Sequence, residues 1–75
     1  MAEVNLKVAE ILCFFTYRHL QQGPLRDVSR RFAELAHSIN VEVASSEEKL
    51  AGLRKLLEAK DCMVRAKVQE NRENG

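Results

Sequence analysis

Few side chains in this chain have the type and spacing to do chemistry, and the densest group is in the stretch "FTYRHLQQGPLRDVSRRFAELAHSI", Phe15 to Ile39. Tyr17, Arg18 and His19 stand together just ahead of a Gly23-Pro24 break. Tyr17 is the only tyrosine, and there is no tryptophan. An aromatic face beside a guanidinium suits a nucleobase stacked next to a phosphate, because stacking tolerates any base and a guanidinium donates in its plane to phosphate oxygens. The plainer reading is that Tyr17 packs as a staple over a helical hairpin while Arg18 faces water, and on the residues alone that reading leads. Arg26, Arg30 and His37 form a basic stripe with the same two readings. It is either a solvated face or, with a neighbouring chain closed over it, a holder of phosphates.

A third group lies near the C-terminus. Asp61 falls inside an apolar stripe beside Arg54 and Arg65, with Glu58 on the same edge. A buried carboxylate needs a partner, so Asp61 is expected to pair with Arg65 at i, i+4 or with an arginine of another helix. In the alternative, Arg54 and Arg65 face a polar pocket at an oligomer axis and bind phosphate there.

Other chemistries find little footing. There is no nucleophile motif, no paired carboxylates at useful spacing and no Gly-rich phosphate loop, and Ser29 and Ser38 only neighbour a histidine in sequence. The expectation is a protein that is not an enzyme. His19, His37, Cys13 and Cys62 follow no metal-ligand spacing, so neither a metal nor a cofactor is expected. Both cysteines sit in apolar helical segments and read as small core residues of a reducing compartment. Twelve Lys plus Arg against eleven Asp plus Glu, a formal net charge of +1, argues against a nucleic-acid polymer as partner. The longest apolar run, "ILCFF", is too short to span a bilayer and "MAEVNLK" has no signal-peptide layout, so the chain is expected to be soluble and cytoplasmic.

The elements that position these residues read as all-α. With 75 residues the chain makes a single domain with a modest core, and without a disulfide or metal framework it needs association with other copies. Val4, Val8, Ile11, Leu12 and Phe15 predict a first helix over about 3–16. Gly23 as N-cap and Pro24 at the first helical position open a second, over about 24–40, with Leu25, Val28, Phe32, Leu35, Ala36 and Ile39 on its apolar face. Arg26, Arg30 and His37 lie opposite, Asp27 can pair with Arg31, and Asn40 is the expected C-terminal cap before the turn "NVEVA". "SSEE" at 45–48 fits a capping box between Ser45 and Glu48, starting a third helix over about 45–70. Its stripe is Leu50, Leu53, Leu57, Val64 and Val68, with Leu56 and Met63 forming a second apolar edge. The second and third helices make an antiparallel hairpin whose surplus apolar surface a homo-oligomeric bundle would cover. The tail "QENRENG" is polar and expected to fray.

"YRHL" before a break, "VSRRFAELAHSI" as a first arm, a short loop, and "EEKLAGLRKLLEAKDCMVRA" as a second arm together resemble the phage family of small cyclic-nucleotide sponges, the anti-CBASS and anti-Thoeris proteins that share a helical hairpin domain. The resemblance covers roughly Phe15 to Ala66, and its most telling part is Leu-Arg-Lys-Leu-x-Glu-Ala at Leu53 to Ala59. It implies a phage protein in the cytoplasm of the infected bacterium that forms compact homo-oligomers, hexamers among them. Such a protein sequesters cyclic oligonucleotide or cyclic ADP-ribose signals without cleaving them. The family's tyrosine-arginine pair falls on Tyr17 and Arg18, and its second-arm arginine on Arg54. The chain departs from the family at "KDCMVRA", where members carry an aromatic and a tryptophan. A competing expectation is a helical interaction or scaffold module using the wide apolar face of the third helix, anchored by Leu56 and Met63. A helix-turn-helix regulator is disfavoured by the missing glycine between Asn40 and Ala44 and by the near-neutral charge.

Overall fold

Three stretches of helical periodicity become three helices. The computed structural model describes residues 2–74, which are all-α: α1 is Ala2–Leu12, α2 is Pro24–Glu42, α3 is Glu47–Asn74, and no strand occurs among the described residues. Both α1 and α2 pack on α3. One apolar cluster unites them, built from Val4, Val8 and Ile11 of α1, Phe15 of the connector, Ala33 and Ala36 of α2, and Leu50 and Leu53 of α3.

Helix α1 buries its i, i+4, i+7 stripe and leaves Leu6 outside. It stops at Leu12, short of residue 16, because the next amides tighten the chain. Those of Cys13, Phe14 and Phe15 donate to the carbonyls of Glu10, Ile11 and Leu12 at 3.1–3.2 Å, the three-residue spacing of a 3₁₀ turn. Phe15 enters the core from this turn, only 2 % exposed. Cys13 falls outside the helix and is exposed, as is Cys62 on α3, so neither is the core residue expected.

Helix α2 opens at Gly23 and Pro24 as expected. Gly23 has φ of 144°, a conformation that side chains with a Cβ rarely adopt, and its carbonyl accepts from the Asp27 amide at 3.0 Å. The helix runs past Asn40 to Glu42 and ends on an extended Val43 without a left-handed cap. Its buried residues are the small ones, Ser29, Ala33 and Ala36. At 100° per residue this seam is turned about 80° from the stripe of large apolar residues. Leu35 and Ile39 are consequently exposed, and Leu25, Val28 and Phe32 are half-buried. Small side chains let the α2 backbone come close to its neighbours, and the large ones are left as a flank. Asp27 pairs with Arg30 at 3.6 Å rather than with Arg31, and Arg30 also reaches Glu34 at 3.4 Å.

Helix α3 is capped by Ser46, one residue later than expected. The Lys49 amide donates to Ser46 Oγ at 3.1 Å. A lysine at this third helical position cannot return the reciprocal carboxylate bond of a capping box. It does something else: Lys49 Nζ donates to the carbonyls of Asn40 at 3.1 Å and Val43 at 2.6 Å, acceptors that a helix end leaves without amide partners. Lys60 acts likewise beyond the end of α1, donating to the carbonyls of Phe14 at 2.7 Å and Thr16 at 3.2 Å. Both lysines are only 8 % exposed. The polar residue buried where Asp61 was expected is thus Lys60. Asp61, about 100° further round the helix, is exposed and makes no ion pair among the described residues. Its expected partner Arg65 approaches Cys62 Sγ instead, at 3.5 Å. The end of the chain stays helical to Asn74, and Gly75 lies outside the described residues.

Candidate functional site

The connector at 13–23 carries the site, and Phe15 anchors it. Two residues after that anchor Tyr17 is half-buried and packs against the core cluster, so the staple reading of its ring is correct as far as it goes. The ring also meets two cations. The guanidinium carbons of Arg18, from the connector, and Arg26, from the first turn of α2, each lie 5.7 Å from its centroid. That is within range of an attraction to the ring quadrupole worth roughly 0.5–1 kcal/mol where exposed. Arg26 is half-buried, not the solvated stripe residue that the helical wheel implied.

Tyr17 borders two concavities. One, of about 540 Å³, is walled by Phe15, Thr16, Arg18 and His19 of the connector and by Ala33, Glu34 and His37 of α2. The other, of about 450 Å³, is polar and contains Gln22, Arg26, Asp27 and Arg30. Arg30 spends its charge on Asp27 and Glu34, whereas Arg18 and Arg26 have no carboxylate within 4.0 Å among the described residues. A flat ring with two uncommitted guanidiniums can hold a planar aromatic group and an anion together.

Of the residues singled out in the sequence, Tyr17, Arg18, Arg26 and Arg30 come together. Arg54 is exposed on α3 and borders neither concavity. Arg65 lines a separate hollow of about 230 Å³ with Lys60 and Asp61, which shares Thr16 and His19 with the first. Both histidines stood out in the sequence, His19 beside Tyr17 and Arg18 and His37 in the basic stripe, but not that, far apart in the chain, they line one hollow. One contributor escaped the sequence reading altogether. Lys60 continued the spacing Leu53, Leu57, Val64 and so marked itself as facing inward. Ser29 is buried in the α2 seam and unavailable as a nucleophile, and no group of three or more His, Cys, Asp or Glu assembles among the described residues. No helix is long and apolar enough to cross a membrane.

Comparison with known protein families, with curated proteins and with solved structures finds no match to this chain.

Proposed function

We propose that this chain is a phage anti-defence protein that binds and sequesters a cyclic nucleotide immune signal, of the cyclic oligonucleotide or cyclic ADP-ribose type, in the cytoplasm of the infected bacterium. The observation that carries the reading is the single tyrosine ring flanked at 5.7 Å by two guanidiniums that no carboxylate pairs with among the described residues. Tyr17 stacks on a base, Arg18 and Arg26 hold phosphate oxygens, and Arg30 lines the polar side. Binding occurs without turnover, since stacking and charge pairing break no bond. The α2 and α3 arms form an antiparallel hairpin, a reading supported by the short connector at 43–46 and by Lys49 reaching back to the end of α2.

Homo-oligomerisation completes the site, with Arg54 and Arg65 of a neighbouring copy approaching the ligand. Two observations support it. The chain exposes 5550 Å², against the roughly 4700 Å² that a compact protein of its mass exposes, and the excess is close to the roughly 800 Å² each partner gives to a stable interface. Beyond Lys60 no described residue of α3 is buried within the chain.

Calorimetric titration with cyclic dinucleotides, cyclic trinucleotides and cyclic ADP-ribose isomers tests the reading, with chromatography of the recovered ligand. The expected outcome is tight binding with ligand returned intact. Tyr17→Phe keeps affinity, while Tyr17→Ala loses about 1–3 kcal/mol, roughly 5- to 150-fold. Absence of heat with every member of the panel would reject it. The second reading, a helical interaction or scaffold module on α3, is favoured by the exposure of Met63 at 53 %, although its other expected anchor, Leu56, packs half-buried against the core. It predicts that a charged substitution at Met63, and not at Tyr17, abolishes function.

A further inference from the structure

We infer that Lys60 is the positioning residue of the Tyr17–Arg18 platform, holding the connector by its ammonium from the far side of the fold. One side chain of α3 makes three contacts with consecutive residues of the connector. Lys60 Nζ donates to the Phe14 carbonyl at 2.7 Å and to the Thr16 carbonyl at 3.2 Å, and it stands 6.0 Å from the centroid of the Phe15 ring between them. Phe15 is buried and Thr16 precedes Tyr17 directly, so the segment leading into the tyrosine is held at two carbonyls, that of Thr16 belonging to the peptide that joins Tyr17. These acceptors belong to an irregular segment that no helical ladder satisfies, and a buried carbonyl without a donor is unfavourable. Without Lys60 the lowest-energy response is for residues 14–18 to swing toward water, taking Tyr17 and Arg18 along. Lys49 does the same chemistry at the end of α2, where no site residue follows, and so provides an internal control.

Only the ligand arm of the test rests on the proposed sponge function. Because Tyr17 is the sole tyrosine and tryptophan is absent, intrinsic emission reports this position alone. Acrylamide quenching of that emission should rise at least about twofold in Lys60→Met while far-UV circular dichroism stays helical, and Lys60→Arg should restore the wild-type value. Lys49→Met should lower the unfolding midpoint without moving the quenching. If Lys60→Met fails to fold, Lys60→Gln, which keeps a neutral donor, carries the same comparison. Unchanged quenching in a folded Lys60 variant overturns the inference, and so does an equal rise in Lys49→Met, which would mean general loosening. In the ligand arm, cyclic di-AMP binding should fall about tenfold in Lys60→Met and recover in Lys60→Arg. Absence of binding by the wild type to any cyclic nucleotide defeats the sponge function, and the quenching result then decides the positioning role by itself.

Discussion

A lysine with only 8 % of its surface exposed is at odds with its own charge. Burial pushes the Lys60 ammonium below the ordinary lysine value of 10.5, and the neighbouring Asp61 carboxylate pulls it part of the way back. Between the lowered folded value and 10.5 the unfolded chain binds more protons than the folded one, so this group makes stability rise with pH across that window. The stability difference between wild type and Lys60→Met, measured by urea unfolding, should therefore move in favour of the wild type as pH rises through that window toward 10.5; a flat difference would contradict the assignment. The arginines around Tyr17 differ for an equally local reason. Arg26 has no carboxylate partner among the described residues, so Arg26→Ala should weaken nucleotide binding by about 1.5–3 kcal/mol, the worth of a charge-assisted bond. Arg30 is already engaged by Asp27 and Glu34 at the surface, and Arg30→Ala should change binding by less than about 1 kcal/mol.

Among the elements, α2 shows what periodicity conveys and what it omits. The wheel identified a helix and its Gly-Pro start, because those follow from local propensity. It set the core about 80° to one side of where it lies: Ala36 and Phe32 of the expected face do meet the core while Leu35 and Ile39 are exposed, because amphipathic counting weights large apolar residues and ignores how closely a small-residue seam can approach. Ala36, fully excluded from solvent, has no room to grow, so Ala36→Leu should cost about 1–3 kcal/mol through overpacking, read as a lowered unfolding midpoint. In α3 the error was one residue wide. Two consecutive serines offered two possible caps, and Ser46 won because Lys49, at its third helical position, faces inward toward the end of α2. Ser46→Ala should cost about 1 kcal/mol of stability, whereas Ser45→Ala should be near neutral. The cluster of Tyr17, Arg18 and Arg26 was half legible. Tyr17 and Arg18 are adjacent in the chain, but Arg26 joins them only because Phe15 and Lys60 fix the path of the connector, a tertiary fact that no local pattern contains.

The whole molecule is longer than its residue count requires. Its dimensions are 48 × 18 × 17 Å and its radius of gyration 13.8 Å, against about 11 Å for a compact chain of this length. The large apolar flank of α2 and the outer part of α3 are what an assembly would cover, so Leu35→Lys offers a clean test at this scale. Leu35 is 48 % exposed, and its replacement should alter the stability of the isolated chain by no more than about 0.5 kcal/mol. Sedimentation velocity should nevertheless show wild-type oligomers reduced to monomers; unchanged sedimentation would place any interface elsewhere.

The two buried lysines of α3 also make that helix intolerant of changes in length. Lys49 and Lys60 stand eleven positions apart, which is close to three turns at about 3.6 residues each, so both ammonium groups leave the helix in nearly the same direction. One residue added or deleted between them would swing one lysine by about 100° relative to the other and leave one pair of carbonyls without its donor. Outside the core positions Leu50 and Leu53, the segment from Leu50 to Ala59 should therefore accept changes of side chain but no change of count, making α3 a gauge whose length is read at both ends.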